Sequence, residues 1–126
     1  MGGDDAPNMV IEGIDRLAAR LPNVRFLLFG DKPQLNPLLE RFSHAKRASE
    51  VRHTPQMIKS DDKPAAALRG GRESSMRLAI NAVSDGEAAG VVSAGNTGAL
   101  MAMAKFVLKT LPGIDRPAIA SYLPTE

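Results

Sequence analysis

The residues best suited to chemistry lie in one short segment close to position 95. The apolar pair Val91-Val92 leads into a loop of small and polar residues, Ser93 to Gly98, and a helical pattern begins at once. Backbone N–H groups in the first turn of a helix lack an intrahelical partner, and the helix dipole adds partial positive charge there. The order strand, tight loop and helix start is typical of a site that binds an anion, above all phosphate.

The side chains of this loop suit the same purpose. Gly95 and Gly98 let the backbone approach a ligand closely, and hydrogen bonds are available from Ser93, Asn96 and Thr97. An ordinary strand-to-helix turn, with Asn96 or Thr97 as the N-cap, explains the same residues. On this segment alone both interpretations stay open, because short glycine-rich motifs often occur without a ligand.

The pattern of apolar residues predicts strands that alternate with helices. Helical spacing is clearest where Leu100, Met103 and Val107 recur, whereas continuous apolar runs are typical of buried strands. The predicted helices cover residues about 7–21, 33–42, 73–84 and 97–111, with one further short helix in the mainly irregular region 54–71. The predicted strands cover 24–29, 50–53, 90–94 and 117–123, while 43–47 is predicted as a polar connector and 112–115 as a turn.

This order of elements favours an α/β layered fold with a mostly parallel sheet. In such sheets ligands bind beyond the carboxyl ends of the strands, which is where the loop around Gly95 is expected to lie. Residues 1–4 have the composition of a glycine loop that follows a strand, yet no strand precedes them, and the strand at 117–123 runs into the last residues. The pattern therefore indicates an incomplete domain, and we expect exposed apolar surface where sheet neighbours are missing.

Composition excludes several classes of site. The 126 residues contain no Cys, so disulfides, thiolate metal sites and a cysteine nucleophile are excluded. One Tyr, four Phe and no Trp leave little for stacking nucleobases, and a net charge of +2 is too small to indicate nucleic-acid binding. No apolar stretch has the length of a membrane span, and the acidic start lacks the pattern of a signal peptide. The expectation is a soluble cytoplasmic protein.

Several blocks of residues follow one another in a specific order along nearly the whole chain. They are Met1-Gly2-Gly3-Asp4 with Pro7, Gly30-Asp31, Asp61-Asp62-Lys63-Pro64 with Ala67 and Arg69, Arg72-Glu73-Ser74-Ser75-Met76, the segment from Val92 to Met101, and the segment from Leu111 to Ala118. Each block alone is weak, but together they resemble the PlsX family, the bacterial phosphate acyltransferases of phospholipid synthesis.

The resemblance implies a fold and an extent. The fold is a three-layer α/β/α sandwich with a mostly parallel sheet, similar to isocitrate and isopropylmalate dehydrogenases and to phosphotransacetylases. Residues 1–126 would be the N-terminal part of a single phosphate acyltransferase domain, without its first strand and its C-terminal part.

The resemblance also implies a reaction and its partners. Inorganic phosphate attacks the acyl thioester carried by acyl carrier protein, and the acyl phosphate that forms serves phospholipid synthesis. No redox cofactor and no metal take part. The full-length family is expected to be homodimeric and cytoplasmic, with peripheral membrane association and no role for nucleic acid.

With the resemblance included, the predicted catalytic residues are Lys63, Arg72 and Asn96. Phosphate is itself the nucleophile, so the protein must hold an anion, orient it and stabilise the developing oxyanion. A cation such as Arg72 at a helix start opposes the dipole, and a bound anion explains it better than stability does. Further phosphate or substrate contacts are predicted from Gly2, Gly3, Asp4, Ser74, Ser75, Ser93, Gly95, Asn96, Thr97 and Gly98. Ser74 and Ser75 are expected to be helix caps first, with a phosphate contact secondary.

Alternative functions remain open. A phosphotransacetylase-like enzyme acting on a coenzyme A thioester and a catalytically silent anion-binding or partner-binding piece are both compatible with the residues. A dinucleotide-binding oxidoreductase is disfavoured, because the loop reads Gly-Asn-Thr-Gly rather than Gly-x-Gly-x-x-Gly. Basic residues suited to steering an acidic carrier protein, or equally to a solvated surface, are Arg41, Lys46, Arg47, Lys105 and Lys109.

Overall fold

The centre of the fold is a pair of short parallel strands. In the computed structural model, which describes residues 1–122, helix α1 (Asn8–Arg20) leads into strand β1 (Phe26–Gly30). Helices α2 (Lys32–Arg41) and α3 (Ser43–Ala48) then form the crossover that a parallel neighbour requires, and strand β2 (Ser49–His53) follows. The register places Phe26 opposite Ser49 and Gly30 opposite His53.

Three further helices form a second layer of packing. They are α4 (Pro64–Gly70), α5 (Ser75–Ser84) and α6 (Thr97–Leu108). One cluster of buried side chains joins α1, α2 and α3 to β1 through Ile11, Leu28, Leu35, Leu39 and Ala45. A second cluster joins α4, α5 and α6 through Ile58, Ala67, Met76, Ile80, Ala99 and Met103. Among residues 1–122, no helix is both long and apolar enough to cross a membrane.

Most predicted elements are confirmed. The helices predicted at 7–21, 33–42, 73–84 and 97–111 are α1, α2, α5 and α6, and the short helix expected within 54–71 is α4. The strands predicted at 24–29 and 50–53 are β1 and β2, and the turn at 112–115 is closed by a hydrogen bond from the N–H of Ile114 to the carbonyl oxygen of Leu111. The α/β class follows from these elements.

The prediction of a polar connector at 43–47 is wrong, because this segment is helix α3. The Oδ1 atom of Asp15, on α1, accepts hydrogen bonds from the N–H groups of His44 and Ala45, both at 2.9 Å. These N–H groups lie in the first turn of α3, where no intrahelical carbonyl reaches them. Ala45 is fully buried against α1 and β1. The capping residue is about thirty positions away along the chain. For this reason no local sequence pattern predicts the helix.

The strands predicted at 90–94 and 117–123 are absent from the part of the chain that the structure describes, and Leu123 lies outside it. A strand needs a partner for its backbone hydrogen bonds, and neither segment has one there. Residues 91–94 instead face β1 across a cleft of about 100 Å³, and the Val92 side chain is fully exposed. The sheet therefore has two strands, and the three-layer sandwich is not confirmed.

Large apolar side chains are exposed along the second half of the described chain. The most exposed are Val92, Leu111, Ile119 and Tyr122. One edge of β1 is also free of a strand partner within residues 1–122. Both features are unusual for a parallel sheet, which is normally covered on its faces and edges.

The Asp15→Ala substitution should destabilise the protein by about 1 kcal/mol, in the range measured for lost N-caps. The reason is that two N–H groups of α3 lose their acceptor. Urea unfolding measures the difference, and Glu12→Ala on the same helix is the matched control, because it removes only an exposed ion pair with Arg16. Equal unfolding free energies for the two variants would contradict the assigned role of Asp15.

Candidate functional site

Three loops meet at the start of α6. They are the N-terminal loop (residues 1–4), the lysine loop (residues 59–63) and the glycine loop (residues 93–98). A Cβ atom added to Gly3 would lie 2.9 Å from the carbonyl oxygen of Ala94, and one added to Gly98 would lie 2.9 Å from Cγ of Pro64. Because only glycine permits such close approach, the predicted glycines bring the N-terminal and glycine loops together and pack the first turns of α4 and α6.

The same contacts extend to the other predicted glycines. Gly2 has a φ of +100° and its Cα lies so close to Ile58 that a side chain would meet the Ile58 carbonyl oxygen at 2.9 Å. A Cβ on Gly95 would lie 3.5 Å from the carbonyl oxygen of Gly2. Asp4 is exposed beside these glycines. The structure therefore places Gly2, Gly3, Asp4 and Gly95 in one neighbourhood.

Asn96 connects two of the loops through its side chain. Its Oδ1 atom accepts a hydrogen bond from the N–H of Ala99 at 2.9 Å, which makes Asn96 the N-cap of α6. Its Nδ2 atom donates toward the carbonyl oxygens of Lys59, Ser60 and Asp62, at 3.2, 3.1 and 2.8 Å. The side chain is thus occupied in fixing the lysine loop to the start of α6. The cap predicted at Asn96 or Thr97 is formed by Asn96.

The backbone of the glycine loop is only partly occupied. The N–H of Gly95 donates to Oγ of Ser93 at 3.2 Å, which shapes the turn. Thr97 and Gly98 form the first turn of α6, so their N–H groups have no intrahelical acceptor. Thr97 is exposed and Gly98 half-buried. These two N–H groups are the donors that an anion at this loop would use.

Lys63 stands next to the glycine loop along the chain. It is exposed and occupies the N-cap position of α4, directly after Asp62, whose carbonyl oxygen Asn96 holds. The carboxylate of Asp62 turns back to accept the N–H of Lys59 at 2.8 Å. The lysine loop is therefore fixed from both sides, and the Lys63 ammonium is left to solvent.

Ser74 and Ser75 have different surroundings. Ser74 is fully buried, donates its hydroxyl to the carbonyl oxygen of Gly71 at 2.6 Å, and caps α5 by accepting from the N–H of Arg77. Ser75 is also buried and lines the cleft between β1 and residues 91–94, as Ser93 does. The expectation that these serines act first as caps is confirmed for Ser74.

Arg72 does not lie beside Lys63 and Asn96, the residues with which it was predicted to bind one anion. It is exposed and lines a depression together with Arg69, and neither Lys63 nor any residue of the glycine loop lines that depression. The structure thus brings Lys63 and Asn96 together, and it does not group Arg72 with them.

Two residues that sequence reasoning missed hold this region in place. The Gln56 side chain donates to the carbonyl oxygen of Gly70 at 2.9 Å and accepts the N–H of Glu73 at 3.0 Å. Thr54, which is buried, donates its hydroxyl to the carbonyl oxygen of Glu73. Both residues lie in a stretch without helical or strand periodicity, so no sequence signal points to them.

The turn before the glycine loop is tied to β2 by Arg52. Its guanidinium binds Glu50 at 3.0 Å and Glu87 at 2.5 Å, and it lies 5.9 Å from the ring centre of Phe29. The hydrogen bonds to Glu50 and then to Glu87 raise the pKa of Arg52. Within residues 1–122 no group of three or more His, Asp or Glu residues is arranged to hold a metal ion.

Comparisons with known proteins extend over the whole chain. A family model described as Fatty acid synthesis protein matches residues 1–126. Proteins named Phosphate acyltransferase from Rhodospirillum centenum, Rhodospirillum rubrum and Paramagnetospirillum magneticum are 63%, 58% and 57% identical to this chain over 125 residues. These alignments cover 99% of this chain but only 35%, 36% and 36% of the relatives. The chain therefore spans about a third of the length of the curated relatives it matches.

The Asn96→Asp substitution should destabilise the protein by about 1 kcal/mol, the usual net contribution of a hydrogen bond, because the carbonyl oxygens that lose their donor are exposed or only partly buried. Aspartate still caps α6, but it offers no N–H to the three carbonyl oxygens of the lysine loop and places negative charge beside them. Urea unfolding measures the effect. Thr97→Ala is the control, because this neighbouring side chain is exposed. An Asn96→Asp variant as stable as the control would show that the Nδ2 contacts contribute nothing.

Proposed function

The chain belongs to the Fatty acid synthesis protein family, and on that premise we propose that it supplies the phosphate-binding part of a phosphate acyltransferase. The reaction transfers an acyl group from acyl carrier protein to inorganic phosphate and feeds phospholipid and fatty acid synthesis. Family membership over all 126 residues and the names of the relatives support the activity. The observation that carries the site is the convergence of the glycine loop and the lysine loop through Asn96.

The reaction requires the protein to position phosphate and thioester, and it does not require a nucleophile from the protein. A phosphate oxygen attacks the thioester carbonyl carbon, a C–O bond forms, and the carbonyl oxygen takes negative charge. The intermediate then expels the thiolate, which takes up a proton, and acyl phosphate and free thiol leave. Because the substrate brings its own nucleophile, the absence of Cys from this chain is compatible with the reaction. The protein contributes by binding and orienting the anion.

The proposed roles follow from the contacts at the start of α6. The N–H groups of Thr97 and Gly98 donate to phosphate, and Lys63 supplies a mobile positive charge beside them. Asn96 acts as a positioning residue, since its side chain is already engaged by both loops. Gly2 and Gly3 let the N-terminal loop pack directly against Ile58 and Ala94, which brings this loop to the edge of the phosphate site. Ser75 and Ser93 line the adjoining cleft and contact the substrate there.

The same resemblance supports proposals about the whole protein. We propose that it is a cytoplasmic homodimer that associates with the membrane surface without spanning it. Acyl carrier protein and inorganic phosphate are its substrates, and no cofactor is required.

The full-length protein, incubated with palmitoyl acyl carrier protein and inorganic phosphate, should form acyl phosphate, which hydroxylamine converts to a measurable hydroxamate. Product should depend on phosphate and saturate with it. Palmitoyl coenzyme A in place of the carrier thioester tests the phosphotransacetylase-like alternative. Turnover of the coenzyme A thioester alone would favour that alternative, and loss of thioester without phosphate dependence would contradict both.

Lys63→Ala in the full-length protein should raise KM for inorganic phosphate about tenfold or more, because a charge-assisted hydrogen bond contributes roughly 1.5–3 kcal/mol. KM for the acyl donor should stay nearly constant, and Lys63→Arg should restore part of the loss. Lys32→Ala is the matched control, since this exposed lysine lies at the start of α2 and belongs to neither the lysine loop nor the glycine loop. Steady-state kinetics with each substrate varied separately decide the matter. An unchanged phosphate KM would remove Lys63 from the site.

A further inference from the structure

A second depression, of about 390 Å³, lies at the other end of α4 from the lysine loop. Its exposed charged residues, Arg69, Arg72 and Glu73, are termed the rim, and the residues that hydrogen bonds tie together beside them, Thr54, Gln56 and Gly70, are termed the floor. Lys63 is the N-cap residue directly before α4, and Arg69 lies in the last turn of α4. At 1.5 Å per residue, a seven-residue helix separates its two ends by about 10 Å.

The floor of the depression is held in one conformation by its own hydrogen bonds. Gln56 binds Gly70 and Glu73 through its side chain, and its carbonyl oxygen accepts the N–H of Ser75 at 2.9 Å. The Thr54 hydroxyl donates to Glu73 and accepts the N–H of Gln56 at 3.2 Å. These polar atoms are therefore engaged, and the groups that remain for a ligand are the charged side chains of the rim.

The two guanidinium groups of the rim are unengaged. Arg69 and Arg72 are exposed, and within residues 1–122 neither forms an ion pair or a side-chain hydrogen bond. Other arginines of the same part of the chain are bound, such as Arg52 to two carboxylates and Arg77 to Asn81. Two guanidiniums against the single carboxylate of Glu73 leave the rim with net positive charge.

The chemistry of the rim fits a phosphate ester. The planar fork of arginine binds two phosphate oxygens at once, and two such forks suit the charged oxygens of a phosphate ester. The volume lies in the range of sites for small organic ligands, about 300–1,000 Å³, and exceeds what an inorganic ion needs. The ligand expected here is a phosphate group attached to a larger organic molecule.

We propose that this depression binds the phosphate of the phosphopantetheine arm through which the acyl donor carries its thioester. The proposal rests on the proposed function, in which one anion site near Lys63 holds inorganic phosphate and the donor brings a second phosphate. The two sites lie at opposite ends of α4, and the flexible pantetheine arm is long enough to reach from one to the other. Carrier protein and coenzyme A share this arm, and the depression recognises the group they have in common.

The direct test is binding of free 4′-phosphopantetheine to the full-length protein by calorimetry, with pantetheine as the probe that lacks the phosphate. Phosphopantetheine should bind the unsubstituted protein at least tenfold more tightly than pantetheine. Arg69→Gln and Arg72→Gln should each abolish most of this difference, and Arg69→Lys and Arg72→Lys should restore only part of it. Arg20→Gln, at another exposed arginine, is the matched control and should bind as the unsubstituted protein does. Equal binding of the two probes, or unchanged binding by both glutamine variants, would overturn the proposal.

Steady-state kinetics then distinguish whether the depression binds the phosphate of the acyl donor, inorganic phosphate or the surface of the carrier protein. In Arg69→Gln and Arg72→Gln, KM should rise with both palmitoyl carrier protein and palmitoyl coenzyme A, while KM for inorganic phosphate stays unchanged. A rise with inorganic phosphate alone would assign the depression to that ion, and a rise with carrier protein alone would assign it to the protein surface; either result overturns the proposal. Because both side chains are exposed and unpaired, the melting temperatures should match. If phosphopantetheine binding depends on the two arginines but no acyl phosphate forms, the binding site is supported and the proposed function is rejected.

Discussion

The amide side chain of Asn96 is the interaction on which the rest of the candidate site depends. Its Oδ1 atom accepts the N–H of Ala99 in the first turn of α6, and its Nδ2 atom donates toward three carbonyl oxygens of the lysine loop. These hydrogen bonds join exposed or partly buried groups, so each contributes about 1 kcal/mol of net stability. Ala99 and Met103 anchor α6 in the buried core. The position of the loop that carries Lys63 is therefore fixed relative to that core.

The close backbone contacts complete this arrangement from the opposite side. Gly3 lies against Ala94, and Gly98 lies against Pro64, at distances that no side chain would allow. The glycines therefore do two things at once: they expose N–H groups, and they let three loops from distant parts of the sequence occupy one small volume. A cation, two free N–H donors and a cleft lined by Ser75 and Ser93 result from packing that is otherwise ordinary.

The sequence predicts the local features of this molecule better than the long-range ones. Helical periodicity placed α1, α2, α5 and α6, and helix-capping preferences limited the N-cap of α6 to Asn96 or Thr97. Helix α3 escaped prediction because its cap, Asp15, belongs to another helix, and Gln56 escaped because its partners lie far along the chain. The strands predicted at 90–94 and 117–123 failed for the complementary reason. Apolar sequence is sufficient for a strand only when a neighbouring strand is present to pair with it, and periodicity says nothing about the neighbour.

The short helix α4 has a consequence that substitutions cannot reveal. It begins beside Lys63 and ends at the depression of Arg69, so its seven residues fix both the distance and the angle between the two cations. Adding one residue would lengthen that span by about 1.5 Å and turn its end by about 100° around the axis. The exposed side chains of α4, such as Ala65 and Ala66, are free to vary as long as the number of residues is kept, whereas Ala67 is held in the core. The length of α4 sets the spacing of the two cations. Substitutions within this helix are therefore expected to be tolerated far more readily than insertions or deletions.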